Sequence, residues 1–256
     1  MDILETVAYD RRKHRHWLWG LSVSLLPFFL SSCLFFHLWI PESNPSLFAA
    51  VIKAAPVLSL ALVVLYHNWG RGLGCVPWAL LLSAGGDAFL IWPEYFLHGM
   101  VCFGLAHLLY CFSFLSLCRA SSCSPCHPLY LPLSLSGASL CFYLYLLPFL
   151  LRRADATILA PAVGGYCILL VSMATIALAT GRPLTWGGAF FFMTSDVVLS
   201  LQVFEVLIVP AMVTRARAIV MVTYYLGQLL IAVGDVRAGS EVTALEARLG
   251  PKRKRK

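Results

Sequence analysis

Residues 46–66 read SLFAAVIKAAPVLSLALVVLY and contain one charged side chain, Lys53. A helix needs about 20 mostly apolar residues to cross the hydrocarbon core of a bilayer. Pro45 precedes this stretch, and a glycine-rich turn at 70–74 follows it. The segment is therefore predicted to be a transmembrane helix.

Seven more segments of this kind fill most of the chain. Of the 256 residues, 60% are hydrophobic and 12% are charged, whereas a soluble domain has about 25% charged residues. This composition excludes a soluble enzyme, a disordered protein and a secreted disulfide scaffold. The predicted spans are 17–40, 46–66, 73–93, 95–118, 129–150, 156–180, 185–206 and 213–234. We therefore predict an all-α, polytopic membrane bundle of about eight transmembrane helices.

The distribution of Lys and Arg predicts the orientation, because cytosolic loops are enriched in both. With a cytosolic N-terminus, only four of the 19 basic residues fall on the opposite side, namely Arg152, Arg153, Arg215 and Arg217. Both termini are therefore predicted to be cytosolic. A basic segment (1–16) precedes the eight-helix transmembrane domain (17–234), and a basic tail (235–256) follows it. The run Lys252–Lys256 is either a solvated positive flank near anionic headgroups or a dilysine-type retrieval signal, and the second interpretation predicts the endoplasmic reticulum membrane.

Two carboxylates, Asp87 and Asp196, lie inside apolar spans. Each costs about 2.5–3.5 kcal/mol at the bilayer centre on insertion scales, so an intramembrane acid is a functional hypothesis by default. The structural alternative is a buried Asp that accepts a hydrogen bond from a neighbouring helix. Glu94, Glu205 and Asp235 fall near predicted helix ends, where they reach water, and are set aside.

The two Asp residues share a sequence pattern, small-Asp-x-x-Leu, in the third and seventh spans. These spans run in the same direction because they are four crossings apart. The two carboxyls are therefore expected at similar depth. The match is a faint sign of a four-plus-four repeat.

Other polar side chains occur in the same apolar context. Lys53 either reaches the interface or binds a phosphate or an Asp. His107 and Tyr110, at i and i+3, share one helix face. Singly, each tyrosine is more typical of the core or of the interfacial belt. The remaining donors that could turn inward are Tyr166, Ser195, Tyr224, Tyr225 and Gln228.

Short motifs follow one another along the membrane domain: LWIPE at 38–42, FAAVIKAAP at 48–56, GDAFLIWP at 86–93, AHLLY at 106–110, WGGA at 186–189, SD at 195–196 and TYYLGQLL at 223–230. Their order and spacing resemble the lysoplasmalogenase (YhhN-like) family of integral membrane proteins, and its vertebrate members most. The resemblance implies hydrolysis of the vinyl ether bond of lysoplasmalogens. The implied products are a fatty aldehyde and glycerophosphoethanolamine or glycerophosphocholine. The family's two intramembrane Asp positions, regarded as catalytic, match Asp87 and Asp196.

Two carboxyls suit this chemistry, because a vinyl ether is cleaved by acid rather than by a nucleophile. Protonation of the β-carbon gives an oxocarbenium ion, to which water adds. One carboxyl must be protonated and the other ionised, as in glycosidases. Which Asp is the acid stays open at this stage. In this interpretation Lys53 holds the phosphate, while His107, Tyr110 and Tyr224 orient a carboxyl or the water.

Two other functions stay open: a proton-coupled transporter or carrier that uses the same Asp pair, and a non-catalytic scaffold. The expected partners are a lysophospholipid substrate and membrane lipid, without nucleic acid, and a homodimer is left open. No cofactor or metal is expected, because the chain has no HExxH or phosphate-loop motif. The haem-attachment pattern at Cys123–His127 falls in a loop predicted to be cytosolic.

Overall fold

The computed structural model describes residues 3–41, 45–69, 74–120, 130–206 and 210–249. Every regular element in these ranges is helical. The helices are α1 (Ile3–Ser24), α2 (Leu26–Leu38), α3 (Leu47–His67), α4 (Cys75–Phe89), α5 (Phe96–Ala120), α6 (Tyr130–Leu150), α7 (Ala156–Ala179), α8 (Pro183–Val203) and α9 (Pro210–Leu249). A short 3-10 helix, Pro93–Tyr95, precedes α5. The haem-like motif at Cys123–His127 and the run Lys252–Lys256 lie outside the described residues.

Seven helical segments of the described chain are long and apolar enough to cross a membrane, and α4 is a shorter apolar helix. The first of the seven, Arg15–Leu38, combines part of α1 with α2. The two helices are separated only at Leu25, close to Pro27, which cannot donate to the carbonyl of Val23. The predicted all-α bundle of about eight transmembrane helices is confirmed.

Two helix ends differ from the predicted spans. Helix α4 ends at Phe89 rather than at 93, and Pro93 begins a 3-10 helix. Its 15 residues span about 22 Å, less than the ~30 Å of a hydrocarbon core. Helix α9 continues to Leu249, beyond the predicted end at 234. Hydropathy shows where the chain is apolar but not where a helix ends. It therefore misses the apolar turn after α4 and the polar extension of α9.

Six helices form a closed ring. Each helix contacts the next in the order α3, α4, α5, α7, α8, α9, and α9 contacts α3 to close the ring. Helix α2 packs against α3, and α6 packs against α7. The buried polar side chains Asp87, His107 and Gln228 come from three helices of this ring. The ring therefore places polar groups in the interior of an otherwise apolar bundle.

The helix contacts repeat after four helices. The pairs α2–α3, α3–α4, α4–α5 and α3–α9 correspond to α6–α7, α7–α8, α8–α9 and α7–α5, and all eight pairs are in contact. Because the offset is an even number of crossings, the two halves run parallel, as in repeats related by an axis along the membrane normal. Asp87 on α4 and Asp196 on α8 occupy corresponding helices. The contact pattern thus supports the repeat indicated by the shared sequence pattern.

Glycines allow close approach within the corresponding pairs α4–α5 and α8–α9. A Cβ on Gly227 would lie 2.9 Å from the carbonyl oxygen of Gly188 and 2.9 Å from the backbone nitrogen of Phe192. A Cβ on Gly86 would lie 2.6 Å from the ring of Phe103. Helices in lipid associate through van der Waals contact, which small residues permit. These contacts bring the backbones of α8 and α9 together and place the Phe103 ring against the helix that carries Asp87.

Helices α2, α4, α6 and α8 all end at one end of the bundle, which we call the far end. Helix α1 begins and α9 ends at the opposite end. Both non-glycine residues with a positive φ in the described chain, Trp39 (38°) and Glu205 (57°), lie at the far end. The cytosolic placement of the termini stays a prediction.

Candidate active site

Asp87 is buried two residues before the end of α4. One carboxylate oxygen accepts a 2.7 Å hydrogen bond from the O–H of Tyr224 on α9. The Nζ of Lys53 on α3 lies 4.0 Å from the other oxygen. Three helices thus bring together an acid, a cation and a phenol, all of them predicted site residues.

The backbone of Lys53 is held by a second tyrosine. The O–H of Tyr225 donates to the Lys53 carbonyl at 2.8 Å. Pro56, one turn further along α3, has no N–H for the carbonyl of Ile52. Tyr225 therefore fixes α3 beside α9, and it contributes to the site by positioning Lys53.

Asp196 lies in the middle of α8 and accepts a 2.6 Å hydrogen bond from the O–H of Tyr166 on α7. The Nε2 of His107 on α5 lies 3.5 Å from the same oxygen, which is longer than an N–H···O bond. His107 is fully buried, and neither of its ring nitrogens has a hydrogen-bond partner in the described residues. Asp196 keeps 13% of its side-chain surface exposed, against 3% for Asp87.

The two clusters follow the four-helix repeat. Asp87 is contacted from α3 and α9, and Asp196 from the corresponding α7 and α5. Each carboxylate accepts one tyrosine O–H and faces one nitrogen side chain. The nitrogen is the Lys53 ammonium in one cluster and the His107 imidazole in the other. The repeat therefore supplies two similar acids with different electrostatic partners.

Phe192 lies between the two clusters. Its ring centroid is 5.4 Å from that of Tyr224 and 4.8 Å from that of His107. Phe103 packs edge-on against both Phe192 and Tyr224. One layer of aromatic rings thus connects the partner of Asp87 to the partner of Asp196.

Three predicted site residues form hydrogen bonds away from the carboxylates. The O–H of Tyr110 donates to Oε1 of Gln228 at 2.6 Å, and both side chains are fully buried. The Oγ of Ser195 donates to the carbonyl of Val220 at 3.0 Å. These bonds tie α5 and α8 to α9. They support the ring of helices rather than orient Asp87 or Asp196.

Two cavities adjoin the two clusters: one is lined by Asp196 and the other by Lys53, the partner of Asp87. The first, which we call the apolar cavity, has a volume of about 380 Å³ and includes Asp196 and Tyr166 in a mostly apolar wall. The second, which we call the basic cavity, measures about 480 Å³ and lies at the far end. Its charged lining residues are Lys53, Arg153, Arg217 and Glu205. Four residues border both cavities: Leu90, Phe96, Leu199 and Val203.

The wall shared by the two cavities carries the sequence pattern that marks both Asp residues. Leu90 follows Asp87 by three residues, and Leu199 follows Asp196 by three residues. Residues three apart in a helix lie about one turn apart on the same side. A ligand that occupied both cavities would cross this wall about one helical turn from each carboxyl.

Sequence reasoning missed several polar residues near the site. The prediction that Asp235 lies near a helix end is wrong, because it lies inside α9, where it accepts a 2.7 Å bond from Nδ2 of Asn68. Val236 and Ala238 are buried and continue the apolar face of α9 beyond Asp235. These apolar residues were the sequence signal that the helix extends past 234. From the sequence, Arg217 is predicted only as a basic residue that flanks the membrane, and Glu205 only as an acid at a helix end that reaches water. Both line the basic cavity.

Within the part of the chain that the structure describes, no three His, Cys, Asp or Glu side chains are grouped as a metal site. The two Asp residues belong instead to separate clusters with tyrosine partners. The expectation that no cofactor takes part stays a prediction.

Comparison with known proteins places these features in a family. The model of the YhhN family matches residues 48–234, which include both Asp clusters. Lysoplasmalogenase TMEM86B of Rattus norvegicus is 38% identical over 218 residues, 84% of each chain. The Homo sapiens TMEM86B protein is 38% identical over 219 residues, which cover 84% of this chain and 87% of that one. Lysoplasmalogenase TMEM86A of Homo sapiens is 34% identical over 235 residues, which cover 85% and 90%.

No solved structure matches the chain. The family match and the relatives agree with the resemblance seen in the sequence motifs, and the helices make the protein a multi-pass membrane protein. The chain therefore belongs to the YhhN family of membrane proteins, together with relatives named lysoplasmalogenases.

Proposed function

We propose that this protein hydrolyses the vinyl ether bond of lysoplasmalogens, giving a fatty aldehyde and glycerophosphoethanolamine or glycerophosphocholine. The observation that carries the proposal is the pair of Asp side chains, each held by a tyrosine, beside adjoining apolar and basic cavities. The names of the relatives support the same substrate class.

The reaction needs one proton donor and one proton acceptor. A carboxylic acid protonates the β-carbon of the vinyl ether, and the electron pair of the ether oxygen forms the oxocarbenium ion. Water attacks the α-carbon and gives a proton to the second carboxylate. The resulting hemiacetal breaks its bond to the glycerol oxygen, which takes the proton from the second carboxyl, while the hemiacetal hydroxyl returns a proton to the first carboxylate and the aldehyde leaves. The sum consumes one water and no net proton.

We assign the proton donor to Asp196, because of the two carboxyls it is the one that lines a described cavity. The β-carbon belongs to the hydrocarbon side of the bond, and the apolar cavity suits that chain. Tyr166 positions the Asp196 carboxyl from α7, and the His107 imidazole faces it from α5. Asp87, which has Lys53 as a counter-charge and Tyr224 as a donor, serves as the second carboxylate.

The test compares a lysoplasmalogen with its saturated alkyl-ether analogue in purified, detergent-solubilised protein. Only the vinyl ether should release aldehyde, because the alkyl ether has no double bond to protonate. Asp87→Asn and Asp196→Asn should each remain folded and lose turnover. Asp235→Asn is the matched control, since it neutralises another largely buried acid outside both clusters. Normal turnover by both site variants would refute the mechanism.

A proton-coupled carrier is the second candidate, and the four-plus-four helix repeat favours it, since transporters are often built from repeats with central acids. Sealed proteoliposomes distinguish the two. Flux of a soluble substrate without lipid cleavage would select the carrier, whereas aldehyde release without flux would select the hydrolase.

We also propose the cellular setting predicted from the charges. Residues 17–234 form the catalytic membrane domain, and the segments 1–16 and 235–256 face the cytosol. The Lys252–Lys256 run supports residence in the endoplasmic reticulum membrane. Protease protection of tags at the two termini in microsomes tests the orientation. Replacing Lys252 and Lys254 by Ser tests retrieval.

A further inference from the structure

The basic cavity is built from all four connections at the far end of the bundle. The residues between α2 and α3 contribute Ile40 and Pro41, and those between α4 and α5 contribute residues 91–93. Arg153 follows α6, and Glu205 follows α8. Such convergence of separate loops on one concave surface is typical of a ligand site.

Three cationic side chains and one acid line this cavity. The guanidinium of Arg217 donates to the carbonyl of Ile40 at 2.7 Å and stacks 4.5 Å above the ring of Trp39. Arg153 lies 3.8 Å from Asp155, and Lys53 faces Asp87. The fork of an arginine matches the geometry of a phosphate. The cavity thus has the charge and the donor geometry for a phosphodiester.

The backbone at this cavity is unusual as well. Trp39, which carries the Arg217 guanidinium on its ring, and Glu205, which lines the cavity, both have a positive φ. Side chains other than glycine rarely adopt this conformation, and it tends to occur at functional sites. One of these conformations thus belongs to a lining residue, Glu205, and the other to Trp39, whose ring carries the lining residue Arg217.

We propose that the basic cavity binds the polar headgroup of a single-chain phospholipid, with Arg217 and Lys53 on the phosphodiester and Glu205 on the ammonium group. The inference rests on the hydrolase function proposed above and specifies how its substrate is held. The hydrocarbon chain of the same lipid lies in the apolar cavity. The glycerol unit joins headgroup to chain, so the vinyl ether bond crosses the wall at Leu90 and Leu199, about one turn from each Asp.

The test is the effect of Arg217→Gln on two vinyl ether substrates, one with the phosphoethanolamine headgroup and one, a 1-alkenylglycerol, without it. Loss of a charge-assisted hydrogen bond should raise KM for the phospholipid by about tenfold or more and change kcat little. KM for the alkenylglycerol should be unchanged. Arg215→Gln is the matched control, because Arg215 is exposed two residues away and does not line the cavity.

Binding without turnover separates this proposal from the function on which it rests. The wild-type protein should bind the alkyl-ether lysophosphoethanolamine, which it cannot cleave, and Arg217→Gln should weaken this binding about tenfold. Glycerophosphoethanolamine should compete better than inorganic phosphate if the whole headgroup is recognised. Equal competition by phosphate would overturn the assignment of Glu205 to the ammonium.

Two further variants distinguish a loss of headgroup binding from a loss of folding. Arg153→Gln changes a half-exposed loop residue and should raise KM for the phospholipid in the same direction, while Arg217→Lys should retain part of the affinity. Aldehyde release with unchanged KM in Arg217→Gln and Arg153→Gln would overturn the headgroup site and leave the hydrolase standing. Headgroup-dependent binding without any aldehyde release would support the site and refute the hydrolase.

Discussion

Removing the hydroxyl group of Tyr166 tests the role of the Asp196 cluster most directly. Tyr166 donates to Oδ2 of Asp196 at 2.6 Å and lines the apolar cavity. When Asp196 passes its proton to the β-carbon, it acquires the negative charge that this O–H then stabilises. The bond is therefore stronger in the transition state than in the ground state, and its loss should appear in kcat.

The size of the effect follows from the type of bond. A hydrogen bond to a charged group contributes about 1.5–3 kcal/mol, and each ~1.4 kcal/mol is a factor of ten in rate. Tyr166→Phe should therefore lower kcat by about 10- to 150-fold. The assay is coupled oxidation of the released aldehyde with a lysoplasmalogen in detergent micelles, and thermal unfolding is recorded in the same buffer.

Tyr143→Phe is the matched control, because Tyr143 donates to a neutral backbone carbonyl, that of Ala160, at 3.1 Å. It should lose about 0.5–1.5 kcal/mol of stability and retain its kcat. Wild-type kcat in a folded Tyr166→Phe variant would refute the assignment of Asp196 as the proton donor.

The packing and the buried ion pair give further predictions. Gly227→Ala should destabilise the protein by about 1–3 kcal/mol, because its Cβ would meet the backbone of Gly188, whereas Gly165→Ala, with open space around it, should leave the unfolding temperature unchanged or higher. Lys53→Met should destabilise the fold by leaving Asp87 without its cation, and the double variant Lys53→Met with Asp87→Asn should recover most of that loss in thermal unfolding; a double variant as unstable as Lys53→Met alone would contradict the pairing. Activity should survive EDTA, and a clear loss that added zinc restores would point to a metallohydrolase instead.

The spans and the two central acids could be predicted because both depend on local properties. An apolar run of about 20 residues is visible without knowing what surrounds it, and so is a carboxylate inside such a run. The partners were harder to find, since they depend on which helices meet. Lys53 and Tyr224 reach Asp87, while Tyr110 reaches Gln228. Sequence spacing alone does not show which of these side chains contacts Asp87 and which contacts another residue.

The basic cavity was beyond sequence reasoning for a related reason. Its charged residues lie far apart in the chain, from Lys53 to Arg217, and only the ends of separate helices bring them together. The positive-inside rule uses only the number of basic residues on each side of the membrane, so it does not show that the far-end arginines line one cavity. The unusual backbone of Trp39 and Glu205 is also invisible in composition.

The four-helix repeat has a consequence for how the two acids differ. Two identical halves would give their two carboxyls identical surroundings, so neither acid would be singled out for one role. In this chain the equivalent helices α3 and α7 present Lys53 and Tyr166, and the equivalent helices α9 and α5 present Tyr224 and His107. Departure from symmetry thus gives Asp87 a permanent cation and Asp196 an imidazole as its nitrogen neighbour. The two nitrogen side chains approach from helices that the repeat does not equate, α3 for Lys53 and α5 for His107, so the two acids are chemically distinct although the scaffold of helices repeats.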